Sequence, residues 1–163
     1  MNITIRQACA GDFEKTVPIQ QEIAELHCAG RPDLFREGHI CYPREVFEEF
    51  VSRDDRAVLL AEADGAVVGF LFALIRHVRN HRVMQDFSMI YVDDLCVAQS
   101  HRRLGIGSIL IAEAEKIGRS HGCTRMELDV QAFNGDAVRF YDAAGFAPRK
   151  ITMEKGIAPC ESI

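Results

Sequence analysis

The run Arg102-Arg103-Leu104-Gly105-Ile106-Gly107-Ser108 stands where a strand pattern gives way to a helix pattern. A turn of that kind leaves several backbone N–H groups unpaired at the positive end of the helix dipole. Gly105 and Gly107 remove the side chains that would hold an anion away from those donors, Ser108 adds a hydroxyl and the two arginines add charge. The chemistry implied is the cradling of a phosphate. A dinucleotide fingerprint is excluded because its third glycine position is Leu110, and a Walker loop because Gly-Lys-Ser/Thr occurs nowhere. A tight packing turn also accounts for Gly-x-Gly taken alone, so the ligand has to be read from the surrounding residues.

Asp93 and Asp94 are neighbours on a run of strand character. Successive strand side chains point to opposite faces, so one of the two can look into a cleft while the other cannot, unless a bulge intervenes. Cys96 follows closely, but no histidine or carboxylate constellation around it can be read from the sequence, and a free cysteine in a sheet behaves as a small hydrophobe. His77 and His81 lie in the basic turn Arg76-His77-Val78-Arg79-Asn80-His81-Arg82. Two histidines without a third ligand read as an exposed loop rather than a metal site. That turn either meets an anionic substrate group or is simply solvated.

The elements that must position these residues follow from periodicity. Asn2 to Ala8 alternates as a first strand; Asp12 can cap a helix to about Cys28, with Val17, Ile19, Ile23 and Leu26 as its apolar stripe. Pro18 is expected to kink that helix or delay its start. Pro43 suits the first turn of a short helix over Arg44 to Arg53. Ala57 to Ala63 and Ala66 to Ile75 are strand runs joined at Asp64-Gly65, a hairpin signal, and Asp86 to Val97 is a further long strand. A helix over Gly105 to His121, a strand over Cys123 to Val130, a helix over Asn134 to Ala144 ended by Gly145, and one or two strands over Phe146 to Lys155 complete the chain. Hairpins first and helix–strand alternation later imply an α/β mixed sheet, antiparallel in the N-terminal half and parallel near the third and fourth helices.

Composition narrows the class. A chain of 163 residues is expected to form one domain, residues 1–163, burying roughly 70% of its unfolded surface without a staple. The longest apolar run, Ala66 to Ile75, is about half a bilayer span. No leader-like segment opens the chain, which suggests a cytoplasmic protein with no membrane partner. A net charge of −5 and a pI near 5.7 argue against a nucleic-acid partner. The six cysteines contain no CxxC pair and read as free thiols.

Arg-x-x-Gly-x-Gly five residues after Val97 resembles motif A of the GNAT superfamily of N-acetyltransferases, and Asn134, Tyr141, Gly145 and Phe146, spaced Asn-x6-Tyr-x3-Gly-Phe, resemble its motif B. The resemblance implies a central twisted sheet of six to seven strands, splayed around a cofactor cleft and flanked by about four helices. It implies acetyl-CoA as co-substrate, no metal, and direct transfer of the acetyl group to a primary amine of a small molecule, an amino acid or a peptide N-terminus. Homodimers are frequent in such a family. The backbone of Leu95, Cys96 and Val97 would pair with the pantetheine arm, and the amides of Arg103, Leu104, Gly105, Ile106, Gly107 and Ser108 would hold the pyrophosphate. Asn134 would contact the pantetheine, and Tyr141 would protonate the leaving thiolate; a phenol of pKa about 10 can serve a thiol of about 8.5.

Tyr91 to Val97 is similar to the acidic central strand of spermidine/spermine acetyltransferases, which makes Asp93 the first candidate for relaying the amine's proton, through water because Asp is shorter than the Glu found there. Asp129, on the neighbouring strand, is the second. His27 to Tyr42 is expected to line the acceptor entrance. A CoA-binding sensor without turnover is the alternative function, disfavoured by the retention of Tyr141 and the acids.

Overall fold

The structure is a computed structural model that describes residues 2–157. The chain divides into two compact units, Met1–Asp129 and Val130–Ile163. The first carries β1 (Ile3–Gln7), α1 (Phe13–Gly30), α2 (Arg44–Val51), β2 (Arg56–Ala63), β3 (Ala66–Val78), β4 (Phe87–Val97), α3 (Ile106–Ser120) and β5 (Arg125–Leu128). The second carries α4 (Gly135–Ala143).

The strands form one sheet in the order β1-β2-β3-β4-β5, antiparallel throughout except for the parallel β4–β5 pair. The described residues thus supply five strands rather than the six to seven expected. Phe146 to Lys155, read as strand, has no ladder here: alternating side chains can mark a segment as strand-like, but a strand exists only where a neighbouring backbone pairs with it.

β2 and β3 are apolar almost without interruption because both faces of the sheet are covered. On one face α1 and α2 set Ile19, Ile23, Phe47 and Phe50 against Val58, Leu60, Phe70 and Phe72. Phe47, Phe70 and Phe72 are wholly buried, each contributing roughly 1.5–3 kcal/mol by area. α3 covers the other face with Ile106, Leu110 and Ala114. It packs so closely that a Cβ on Gly118 would come within 2.7 Å of the Ile90 side chain.

Pro18 does not delay α1, which starts at Phe13 and runs to Gly30; the imino nitrogen only omits the bond an N–H would have made to Glu14. Asp12 precedes the helix but makes no side-chain cap to it. Its buried carboxylate instead accepts from Arg6 at 2.7 and 2.8 Å, from Lys15 at 2.8 Å and from the Cys9 amide at 3.0 Å. The Arg6 guanidinium above all holds that carboxyl far below the usual range. Cys9, Cys28, Cys41, Cys96 and Cys123 are free thiols, and Cys160 lies outside the described residues. Among the described residues no helix is long and apolar enough to cross a membrane.

Candidate active site

The decisive local feature is a bulge in β4. Phe72 of β3 stands opposite Asp94 and Ala73 stands opposite Val92, so Asp93 is the extra residue with no partner across the ladder. An inserted residue shifts the alternation that follows it. Asp94 therefore shares a face with Phe72 and Cys96, the face carrying α1 and α2, although Val92 faces α3. Asp93 serves the same face, because its Oδ2 accepts from the Tyr42 hydroxyl at 2.7 Å. The two aspartates do not divide between the faces of the sheet, as regular alternation would have them; they sit together.

Their surroundings differ. Asp93 is exposed and Asp94 is partly buried. Burial, with a smaller push from the Asp93 charge, raises the Asp94 carboxyl to about 7, against the pull of a hydrogen bond from the Leu95 amide. The reading from sequence singled out Asp93 and left Asp94 without a role; the signal available was the adjacency of the two acids and the bulge it left open. Tyr42, likewise unforeseen except as the end of the entrance segment, is buried beneath Asp93. Cys41 beside it has its thiol pushed up to about 11 by burial and by the two aspartates. The remainder of the expected entrance segment is ordered by a stack in which Phe35 lies 4.8 Å from His27 and 6.5 Å from His39, ring centre to centre.

β4 and β5 pair from Met89–Arg125 to Val92–Leu128 and no further. Among the described residues no strand pairs with β4 on that side from Asp93 to Val97, so Leu95, Cys96 and Val97 offer backbone groups there while pairing with Leu71, Phe70 and Gly69 on the other. Asp129, just past the end of β5, accepts from the Tyr91 hydroxyl at 2.9 Å. Arg76, His77 and Val78, read as turn from the sequence, are instead the end of β3, where they pair with Met89, Ser88 and Phe87 of β4. The Arg76 guanidinium lies 3.6 Å from the centre of the Tyr91 ring, His77 Nδ1 lies 2.9 Å from the Ser88 hydroxyl, and in the turn beyond, His81 Nδ1 accepts from the Val83 and Met84 amides. Among the described residues no group of three or more His, Cys, Asp or Glu could hold a metal.

The Cys96 thiol points away from the free edge, toward the α1 carbonyl of Ile19 at 3.8 Å, and burial raises it to about 12. A thiol so placed remains protonated and serves as packing.

Beyond Val97 the chain makes the glycine turn. Gly105 has φ +79 and Arg103 φ +63, the left-handed values that turn the chain abruptly into α3. The first backbone bond into that helix is from Ile109 to Gly105, which leaves the amides of Ile106, Gly107 and Ser108 without helical partners. A Cβ on Gly105 would meet nothing within 4 Å, so the space beside Gly105 is open. The two arginines do not act alike. Arg102 donates from Nε to the Val97 carbonyl at 3.0 Å and pairs with Glu22 at 3.6 Å, and Glu22 also takes the Gln99 amide at 2.8 Å. Arg102 thereby fastens the turn to α1, and Arg103 is left exposed beside the cradle.

In the second unit the Asn134 side chain caps α4 by accepting from the Ala137 amide at 3.1 Å. Tyr141 packs edge-on against Phe140 and Phe146, at 5.1 and 5.6 Å between ring centres.

A strand edge left free after Val92, followed by an open amide cradle, is the arrangement that a long phosphate-bearing thioester needs, and residues 21–146 match the acetyltransferase (GNAT) family. The chain belongs to that family. An aminoglycoside N(6')-acetyltransferase type 1 from Salmonella typhimurium is 32% identical over 100 residues, covering 61% of this chain and 68% of that protein. An N-alpha-acetyltransferase from Sulfurisphaera tokodaii is 28% identical over 121 residues, covering 68% of each. Among solved structures, the BH1408 protein of Bacillus halodurans superposes with a TM-score of 0.91 at 27% identity, over 95% of this chain and 99% of that one. The aminoglycoside N-acetyltransferase AAC(6')-Iy in complex with CoA shares the fold, with a TM-score of 0.71 at 22% identity over 95% of this chain and 99% of its own. As a GNAT protein the chain is an N-acetyltransferase, moving an acyl group to an amine nitrogen.

Proposed function

We propose that this enzyme transfers the acetyl group of acetyl-CoA directly to a primary amine of a small polycationic molecule of the aminoglycoside kind. The observation that carries the reading is the β4 bulge, which brings Asp93 and Asp94 to one face where the strand loses its β5 neighbour. The aminoglycoside relative supports the acceptor class.

The residues present fit the donor. The amides of Arg103 to Ser108 would hold its pyrophosphate: those of Ile106, Gly107 and Ser108 have no helical partner, and a Cβ on Gly105 would meet nothing within 4 Å. The free edge of Leu95, Cys96 and Val97 would pair with the pantetheine arm as an added strand, one N–H polarising the thioester carbonyl. Asn134 and Tyr141 enter through the motif they match, Asn134 toward the pantetheine and Tyr141 as the donor of a proton to the leaving thiolate. Acetyl-CoA supplies an activated acyl carbon; what this chain must supply is a neutral amine and a place for two protons.

An alkyl ammonium has a pKa of about 10, so a base is needed near neutrality. Asp94, raised to about 7, is suited to accept that proton, directly or through a water. Asp93 and Asp129 would meet the acceptor's other ammonium groups, and the stretch from His27 to Tyr42 would line its entrance. The ammonium proton would first rest on Asp94. As the C–N bond forms and the C–S bond breaks, the thiolate would take a proton from Tyr141. The second proton, lost from nitrogen as it becomes the neutral amide, would restore the phenol through water. The position of the Cys96 thiol supports transfer without an acyl-cysteine.

Thiol release from acetyl-CoA, measured across kanamycin, spermidine, free amino acids and peptides with free N-termini, tests this. Highest kcat/KM for kanamycin is expected. A preference for the peptides would move the enzyme to the class of its Sulfurisphaera relative, and acetyl-CoA binding without turnover of any acceptor would favour a sensor.

A further inference from the structure

Tyr42 lies outside both motifs, yet three elements hold it. Its ring stacks on Phe72 of β3, 3.8 Å between centres and 10° between planes, and meets Phe50 of α2 edge-on at 5.6 Å. Its amide donates to Oε1 of Gln20 in α1 at 2.8 Å. Gln20 is completely buried among core residues, and its Nε2 donates to the Thr16 hydroxyl at 3.0 Å, which donates to the Phe13 carbonyl at 2.7 Å. Burying an amide this deeply is unfavourable unless both of its ends are bonded. Here both ends are used, and the outcome is the location of one phenol. The Tyr42 hydroxyl keeps its proton, since burial and the two aspartates push its ionisation well above the ordinary range, so it donates to Asp93 and cannot serve as a base.

We propose that Tyr42 is a positioning residue of the transfer reaction, holding the bulged Asp93 on the site face beside Asp94. The inference rests on the acid-pair reading above. Asp93 is exposed and unpaired across the ladder, so without this hydrogen bond its carboxylate would turn to water. Held in place, its charge faces Asp94 and Tyr91 on its own strand and Cys41 and Tyr42 from the segment before α2.

The test begins without substrate. Carbon NMR of labelled aspartate carboxyls, followed across pH, reports the Asp94 midpoint in the parent and in Tyr42→Phe. The phenyl ring keeps its stack, so the variant should fold, and the midpoint should fall by roughly half a pH unit or more as the neighbouring charge loses its fixed place. In the parent, the Tyr42 hydroxyl proton should give a downfield resonance that moves in Asp93→Asn. With kanamycin and acetyl-CoA, kcat should drop about tenfold in Tyr42→Phe with the KM for acetyl-CoA unchanged, and the same change in an Asp93→Asn background should cost nothing further. An unmoved Asp94 midpoint, a hydroxyl resonance indifferent to Asp93→Asn, or additive losses in the double variant would each overturn the inference. Undiminished kcat in Asp93→Asn alone would instead sink the acid-pair reading. If the parent acetylates no acceptor, the titration and the hydroxyl resonance decide.

Discussion

Asp94→Asn should make the protein more stable and less active, and the stability gain should depend on pH. The folded-state pKa of Asp94 is raised from 3.8 to about 7, so ionising it opposes folding. The sign follows from proton counting: between the unfolded and folded values the native state binds more protons, and stability declines as pH rises through that window. Three units at 1.36 kcal/mol each set an upper bound of about 4 kcal/mol above pH 7, and solvent reaching the partly buried carboxyl reduces this to about 2 kcal/mol. Asparagine copies the neutral acid's shape. At pH 8 the variant should therefore melt about 4–8 °C above the parent, and near pH 3.5, below the unfolded value, where the carboxyl is protonated in both states, the two should nearly coincide. Scanning calorimetry at the two pH values measures this, with kcat recorded alongside and expected to fall at least about 10²-fold on loss of the base. Equal melting temperatures at pH 8 would show that the carboxyl ionises without penalty, and the argument from burial would fail. A stabilised variant with full activity would leave the pKa argument standing and remove Asp94 from the chemistry.

Gly107→Glu should abolish acetyl-CoA binding by calorimetry, since it puts bulk and negative charge among the amides of the α3 N-terminus; binding as tight as the parent's would place the cradle elsewhere. Tyr141→Phe should lower kcat about 10²-fold or more while leaving the acetyl-CoA Kd near the parent's, and an unchanged kcat would take Tyr141 out of the mechanism. Asp12→Asn should lower the melting temperature by about 6–12 °C at pH 7, corresponding to about 3 kcal/mol for a broken buried ion pair. Because the Asp12 pKa is depressed, its contribution is full above about pH 4 and is lost as pH falls below that, so the parent–variant difference should shrink in acid.

Much of this protein is legible in local sequence. Apart from Phe146 to Lys155, which forms no strand, and Arg76 to Val78, which extend β3, the strand runs, the hairpin at Asp64-Gly65 and the helices appear where periodicity puts them, because side-chain alternation and turn chemistry are short-range properties. The glycine turn is legible for the same reason: Gly105, Gly107 and the helix they introduce are contiguous, and unpaired amides follow from helix geometry alone. The two motifs together suffice to identify the family. Where the acids sit was decided elsewhere. A bulge is a relation between two strands, and nothing in Asp93-Asp94 states that Phe72 and Ala73 will skip a residue. Tyr42 reaches Asp93 across 51 residues through a core that also has to bury Gln20. Arg102 looks like a phosphate ligand by type and spacing until Glu22 and the Val97 carbonyl claim it. The Asp94 pKa depends on how much water the packed helices leave around it. Each of these rests on contacts between segments distant in the chain, so they emerge only once the tertiary fold has brought those segments together.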